Sequence, residues 1–242
     1  MPNHILPHAF ATPAIEKLKN KRIVLASNSP RRKEILRAIG LQPDIVPSTF
    51  EENLPPSEFP DIHEYPVATA SHKAVEVYER LVREDPDNAP DLVIAADTVV
   101  LTQPPASIPH NDQSDIRPDL LEKPTDKKDN LRMLLDLNGN VCEVVTGVTL
   151  VYPILVAPGY GIKSIDERTL VYFADNPKHL IEAYVESGEG IDRAGGFAIQ
   201  GLGSLLISKI DGDYNNVVGF PVASFFKFLD LLIEEEEDFL EI

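Results

Sequence analysis

Apolar residues fall along this chain in two rhythms that alternate from start to end. Short, nearly continuous apolar runs at Arg22–Ala26, Leu92–Leu101 and Val141–Tyr152 read as strands, the second of them central and covered on both faces. Between them the spacing turns helical. Pro30 opens a helix that carries Ile35, Leu36 and Ile39 on one face and stops at Gly40, and Tyr65–Arg83 repeats Val67, Ala70, Ala74, Val77 and Leu81 at helical intervals. Asp44–Val46 is a further short strand. Asp126–Leu137 predicts a helix ended by Asn138-Gly139, Arg168–Phe173 a strand, and Asn176–Ser187 a helix. A glycine-rich segment (Gly188–Gly203), a strand (Ser204–Ile210), a turn at Asp211-Gly212 and a helix from Pro221 complete the series. Strands and helices that alternate without internal repeats predict an α/β fold with a partly parallel sheet.

Four stretches do not follow either rhythm. Residues 1–20 hold Pro2, Pro7 and Pro13 without a sustained period and read as an N-terminal extension; Gln103–Asp119, with four prolines, reads as a mobile inserted loop, and Pro153–Gly161 as a second irregular loop. Residues 234–242 carry six acids and no base, the composition of a solvated tail or last helical turn. One domain over 21–233 is the resulting expectation, since no break requires two.

Composition narrows the class of protein. A chain of 242 residues that is 43% apolar and 25% charged is an ordinary globular sequence. Its single cysteine, Cys142, excludes an internal disulfide and a thiolate cluster, and no run is long enough to span a membrane. The opening residues lack the order of a signal peptide, so a soluble, cytoplasmic protein is expected. The net charge of −17 disfavours polymeric nucleic acid and anionic membranes as partners. Lys17–Arg37 nevertheless holds eight bases against Glu34, a local +7 that suggests a compact positive spot near the N-terminus.

Candidate chemistry begins in that stretch. Ser27-Asn-Ser-Pro-Arg31-Arg32 lies at a strand-to-helix turn, where free backbone N–H groups favour an anion and two arginines add forked donors; the alternative is a helix start with exposed bases. Walker-type and GxGxxG phosphate motifs are absent. Asp97 interrupts an apolar strand, where an unpaired carboxylate is costly. It could cap a turn at the strand's end, or act there as a metal ligand or general base, with Glu51 or Glu52 joining it around a hard cation such as Mg²⁺. Lys73 and Lys123 are unremarkable taken alone. The six histidines show no paired ligand spacing, and the glycine-rich segment would let a flat ligand approach the backbone beside Gln200 or simply form a tight loop.

In order and spacing, Leu25–Leu36, Ala96–Val99, Glu122–Pro124, Val145–Val148, Asp192–Gly195, Ile199–Gly201 and Gly212–Pro221 resemble the Maf family of nucleoside triphosphate pyrophosphatases over about 22–230. The resemblance implies a Maf / inosine triphosphate pyrophosphatase-like fold, with a mixed, partly parallel sheet flanked by helices and two lobes around a nucleotide cleft. It implies metal-dependent hydrolysis of a nucleoside triphosphate to the monophosphate and pyrophosphate. By position, Ser27, Arg31, Arg32, Lys73 and Lys123 would bind the phosphates, and Glu52 and Asp97 would hold the metal, Mg²⁺ in the first place, with Mn²⁺ or Co²⁺ as alternatives. Asp97 would also accept the proton from water, and Arg31, Thr98 and Gln200 would choose the base. The Ile-Gln-Gly segment resembles the branch acting on dTTP and UTP. Alternatives are a purine or 7-methyl-GTP pyrophosphatase on the same scaffold and a nucleotide-binding regulator of cell division. Asp192 and Arg193 are further candidates; Arg193 stands where the family usually has lysine, and Gly190 where it usually has proline. A homodimer is also implied.

Overall fold

The computed structural model describes residues 4–103, 118–235 and 239–241. Seven strands form one sheet: β1 (Ile23–Leu25), β2 (Asp44–Ile45), β3 (Leu92–Thr102), β4 (Leu120–Leu121), β5 (Val141–Pro153), β6 (Tyr160–Phe173) and β7 (Ile207–Asp211). Their order is β2-β1-β3-β5-β6-β7, with β4 also paired to β3. β1 runs parallel to β2 and β3, and every other pair is antiparallel, so the sheet is mixed and parallel only at one side.

The break between these two halves makes the opening that the site needs. On one edge of β3, β1 pairs only as far as Leu25 with Ile94, and β4 takes up the same edge from Val100. The intervening stretch, which contains Asp97 and Thr98, is paired to β5 on its other edge only, with Asp97 opposite Gly147. A sheet edge released where a parallel neighbour turns away is where α/β folds place ligands.

Among the described residues seven α-helices cover the sheet: α1 (Pro13–Leu18), α2 (Pro30–Ala38), α3 (Glu64–Glu84), α4 (Lys127–Leu137), α5 (Lys178–Ser187), α6 (Tyr214–Val218) and α7 (Val222–Glu235). Strand alternation divides their work. Val93 and Ala95 face α3, where Ala74, Val77 and Tyr78 meet them, and Ile94 and Ala96 face α1 and α7. Gly147 lets α3 lie close against β5: a Cβ there would sit 2.5 Å from the backbone nitrogen of Val67. A separate cluster under α4 and α5, built on Met133, Leu134, Val144, Val171 and Phe173, gives the second lobe.

Several expectations are corrected by this packing. Residues 4–18 are not a loose extension: Thr12 caps α1, and Ala14, Ile15 and Leu18 are buried against Phe225, Leu229 and Phe239. Three buried residues in a six-residue helix are too short a pattern to register as periodic. The acidic end is likewise partly interior, since α7 runs to Glu235 and Phe239 and Leu240 are buried, Phe239 edge-on to Tyr152 at 4.9 Å. β6 starts at Tyr160 rather than Arg168 because its first half is half-exposed, with Lys163, Asp166 and Glu167 masking the strand signal. The expected irregular loop is present but shorter, residues 154–159, with Pro153 closing β5 and Tyr160 and Gly161 opening β6. Leu202–Leu206 is a 3₁₀ turn, so the following strand begins at Ile207. The predicted inserted loop lies largely outside the described residues. No helix among them is long and apolar enough to cross a membrane.

Candidate active site

A cleft of about 650 Å³ opens at the released edge of β3, within the size range of small-molecule sites. All but one of the candidates named from the sequence border it: Ser27 from the β1–α2 turn and Arg31 and Arg32 from the first turn of α2; Glu52 from the loop after β2; Lys73 from α3; Asp97 and Thr98 from β3; Lys123; and Asp192, Arg193 and Gln200 from the glycine-rich segment. Glu51, the alternative to Glu52, does not line it.

Asp97 does not cap a strand end, because β3 continues to Thr102. Its carboxylate, 8% exposed, has its reason in Lys73: the ammonium of Lys73, itself 7% exposed, donates to Asp97 Oδ1 at 2.8 Å and lies 2.9 Å from Glu52 Oε1. One cation thus holds two carboxylates at one point of the cleft. Glu52 is placed by its loop, which Glu76 of α3 fixes by accepting from the Thr49 backbone at 3.0 Å and the hydroxyls of Ser48 and Thr49 at 2.8 and 2.9 Å. Burial alone would raise the Glu76 carboxyl, but hydrogen bonds from Arg80, Thr49 and Ser48 outweigh it and hold the group at about 2.

Arg32 ties three elements together on the other face of β3. Its Nε donates to the Gly219 carbonyl at 2.9 Å, one terminal nitrogen to Ser27 Oγ at 3.2 Å and the other to Thr98 Oγ1 at 3.0 Å. Thr98 also meets Thr146 Oγ1 at 3.0 Å. Burial pulls the Arg32 guanidinium below its ordinary value, while Asp97 and Glu52 pull the other way. A guanidinium remains protonated under such a shift. Arg31, its neighbour, has a buried terminal nitrogen with no hydrogen-bond partner among the described residues.

The opposite wall is looser. Lys123 pairs with Asp192 at 3.0 Å with both side chains largely exposed. Burial, then a 2.8 Å hydrogen bond to Glu122 Oε1, raises the Tyr65 phenol, which therefore stays a donor. The positive stretch from Lys17 to Arg37 is not one patch: Lys17 pairs with Glu241, Lys19 with Glu16, Lys21 with Asp91 and Arg22 with Asp44, and only Arg31 and Arg32 of its bases line the cleft. Cys142 is buried, its thiol pushed well up by that burial, and does not line the cleft.

Glu52 and Asp97 are the residues suited to a divalent cation. Both donors are carboxylate oxygens, and no third acid, histidine or cysteine completes a cage among the described residues. Such a pair fits Mg²⁺, which binds through one or two carboxylates and completes its shell with phosphate oxygens and water.

A family model described as Maf-like protein matches residues 22–232. The chain belongs to the Maf-like family. Among Maf-like relatives, a dTTP/UTP pyrophosphatase of Schizosaccharomyces pombe is 39% identical over 225 residues, covering 90% of this chain and 87% of that protein. The dTTP/UTP pyrophosphatase of Saccharomyces cerevisiae is 37% identical over 224 residues, covering 86% and 88%. A human protein named probable bifunctional dTTP/UTP pyrophosphatase/methyltransferase is 42% identical over 219 residues, which is 90% of this chain but 33% of the human one.

The Maf-like motifs of this chain left some of the site unread. Thr146 and Asn216 are fully buried and brace the cleft: Asn216 Nδ2 donates to the Val144 carbonyl at 3.0 Å and to Thr169 Oγ1 at 3.0 Å. Thr146 carried no signal of the kind Asp97 did, because threonine is an ordinary strand residue. Glu76 carried none, since one acid on an amphipathic helix is indistinguishable from a solvated one.

Proposed function

We propose that this protein hydrolyses dTTP, UTP or related pyrimidine nucleoside triphosphates to the monophosphate and pyrophosphate. One observation carries the reading: the dispersed residues that match the family's motifs converge on one nucleotide-sized cleft, bordered by two lysines and three arginines, with the carboxylates of Glu52 and Asp97 at Lys73. The names of the relatives supply the substrate class.

Hydrolysis of a phosphoanhydride requires phosphate charge to be neutralised and a water to be deprotonated as it attacks. Asp97 is the proton acceptor in this reading. The bond from water to phosphorus forms, the α–β bridging bond breaks, and the electron pair leaves with pyrophosphate. Lys73 fixes Asp97 Oδ1 and so sets the direction of that carboxylate. Ser27, Arg31 and the N–H groups opening α2 face the phosphates, and Lys123 reaches them from the opposite wall. Arg32, whose donors are engaged by Gly219, Ser27 and Thr98, orients that wall and contributes charge at short range. A divalent cation held by Glu52 and Asp97, when bound, supplies further charge neutralisation. Thr98 and Gln200 border the base end. The homodimer implied by the family belongs to this reading and is tested by sedimentation.

A panel of nucleoside triphosphates assayed for pyrophosphate release with and without Mg²⁺ tests it. Turnover of dTTP and UTP above ATP, GTP and 7-methyl-GTP is expected. Preference for 7-methyl-GTP would redirect the substrate assignment, and binding without turnover of any nucleotide would sink the enzyme reading in favour of a regulator.

A further inference from the structure

Five cationic side chains line the cleft: Arg31, Arg32, Lys73, Lys123 and Arg193. Three are already matched. Arg32 donates from all three of its nitrogens to protein, Lys73 sits between two carboxylates, and Lys123 pairs with Asp192. Arg193 differs. Its Nε is buried and has no hydrogen-bond partner among the described residues. One terminal nitrogen donates to the Asp192 backbone carbonyl at 3.1 Å, and the nearby Asp192 carboxylate is 3.9 Å away, beyond hydrogen-bonding reach and already engaged by Lys123. Burial lowers the Arg193 guanidinium below its ordinary value. The side chain as a whole is about a quarter exposed and its ion pair with Asp192 is long, but a buried Nε–H without an acceptor is costly to the folded protein.

The backbone holds Arg193 in that position. Arg193 N–H donates to the Gly190 carbonyl at 3.2 Å, Gly196 N–H to the Arg193 carbonyl at 3.0 Å, and Gly195 N–H to the Glu122 carbonyl at 3.0 Å. Asn130, fully buried on α4, donates from Nδ2 to the Gly196 carbonyl at 2.8 Å. Gly195 and Gly196 adopt φ of 65° and 73°, and a Cβ on Gly190 would lie 2.2 Å from the Gly196 carbonyl oxygen. The family's usual proline would not fit at 190 in this loop, so the glycine and the arginine that depart from the family belong to one local arrangement. Such a loop fixes the backbone that presents a guanidinium; it does not satisfy the guanidinium itself.

Resting on the reading of the cleft as a nucleotide pyrophosphatase site, we propose that Arg193 binds the β- and γ-phosphates, the part of the substrate that leaves as pyrophosphate. That part of the ligand offers most of the charge, the α-phosphate carrying only a single negative charge. A pyrimidine base and a ribose present neutral oxygens, whereas the two distal phosphates carry most of the triphosphate's negative charge and accept the forked donors of a guanidinium. Arg193 is then an affinity determinant for substrate and for pyrophosphate as product, and its partner is the ligand.

Calorimetric titration of the full chain with inorganic pyrophosphate plus Mg²⁺, and separately with UMP, tests the assignment in wild type, Arg193→Gln and Arg193→Lys. Arg193→Gln should weaken pyrophosphate binding at least roughly tenfold and leave UMP binding unchanged, with Arg193→Lys between, because it keeps the charge and loses the fork. The ligand-free melting temperature of Arg193→Gln should stay level, since only a partly exposed charge with a long ion pair is removed, while the gain in melting temperature produced by pyrophosphate shrinks. Unchanged pyrophosphate affinity, or equal loss for pyrophosphate and UMP, overturns the proposal. A fall in ligand-free stability with both affinities kept shows a structural role and overturns it as well. Should Arg193→Gln not fold, the lysine variant decides by the same two titrations. Failure of wild type to release pyrophosphate from any nucleotide would defeat the functional reading, yet the pyrophosphate titration would still decide the role of Arg193.

Discussion

On the wall formed by β1, α2, α3 and β3, Arg32, Lys73 and Asp97 direct their hydrogen bonds to one another's neighbours inside the protein, whereas across the cleft Lys123, Asp192 and Arg193 are exposed or unmatched. The first wall is assembled before any ligand arrives. Lys73 and Asp97 are buried there as a pair and Arg32 spends its donors on protein acceptors, so this wall fixes the geometry of the proton acceptor and is sensitive to any change that leaves one of the pair behind, although Arg31 beside it keeps one unmatched nitrogen. The second wall holds charges in water or without partners and gains most of its interactions from the ligand. Substitutions on the first wall should therefore disturb chemistry and folding, and those on the second should disturb binding alone.

The strongest test of the first wall is Asp97→Asn. The amide keeps the shape and can still accept from Lys73, but it cannot take a proton, so kcat should fall by about 10²–10⁴. Nucleotide binding should persist. Pyrophosphate release together with a direct binding measurement checks both halves, and a fully active variant would remove Asp97 from the reaction.

Lys73→Met addresses the folding side. It leaves the Asp97 carboxylate buried without its cation, while Glu52, half-exposed, can turn to water. A loss of about 3 kcal/mol is expected, the lower end for breaking a buried pair. Mg²⁺ should restore part of it, because a divalent cation replaces the missing charge between the same two carboxylates. Denaturant unfolding with and without Mg²⁺ reads both effects; unaltered stability would mean that the pair is not the internal brace inferred above.

How much of this contrast was legible in the sequence depended on the kind of signal. Asp97 was visible because a carboxylate inside an apolar strand violates burial chemistry, and the β3 and β5 runs were long enough to fix their type. Lys73 and Lys123 were legible only through motif order, since a lone lysine has no distinguishing context. That Arg31 and Arg32 would differ, one tied into Thr98 and Gly219 and the other left with an unmatched nitrogen, depends on contacts between residues as far apart as Arg32 and Gly219 that no local pattern encodes. Short α1 and the buried Phe239-Leu240 pair were hidden for the opposite reason: the apolar residues were present, but each run was too brief to show a period.

A smaller effect concerns the loop that brings Glu52 to the first wall. With its carboxyl held at about 2 against an ordinary 4.5, Glu76 contributes stability that is fully present above pH of about 4.5 and is lost as pH falls through about 2. Glu76→Gln should lower the urea midpoint at pH 7, and the gap from wild type should narrow below pH of about 4.5 as the unfolded chain's carboxylate takes up a proton, closing near pH 2 where the native one does. A gap that stays constant down to pH 3 would show that charge is not what ties Ser48 and Thr49 to α3.

The smallest expected change in stability lies on the second wall. Lys123 and Asp192 form an exposed pair at 3.0 Å, of the kind that contributes at most about 1 kcal/mol and often nothing measurable. Lys123→Gln should shift unfolding by no more than about 0.5 kcal/mol. The same substitution removes a cation that can leave Asp192 for a phosphate oxygen, so KM for UTP should rise roughly three- to tenfold, the worth of a partly solvated charge-assisted hydrogen bond. Kinetics and melting must separate for the two walls to differ as described. If Lys123→Gln lost as much stability as Lys73→Met, the second wall would be braced like the first. If KM did not move, Lys123 would remain with Asp192 throughout turnover, and the grip on the phosphates from this side would fall to Arg193.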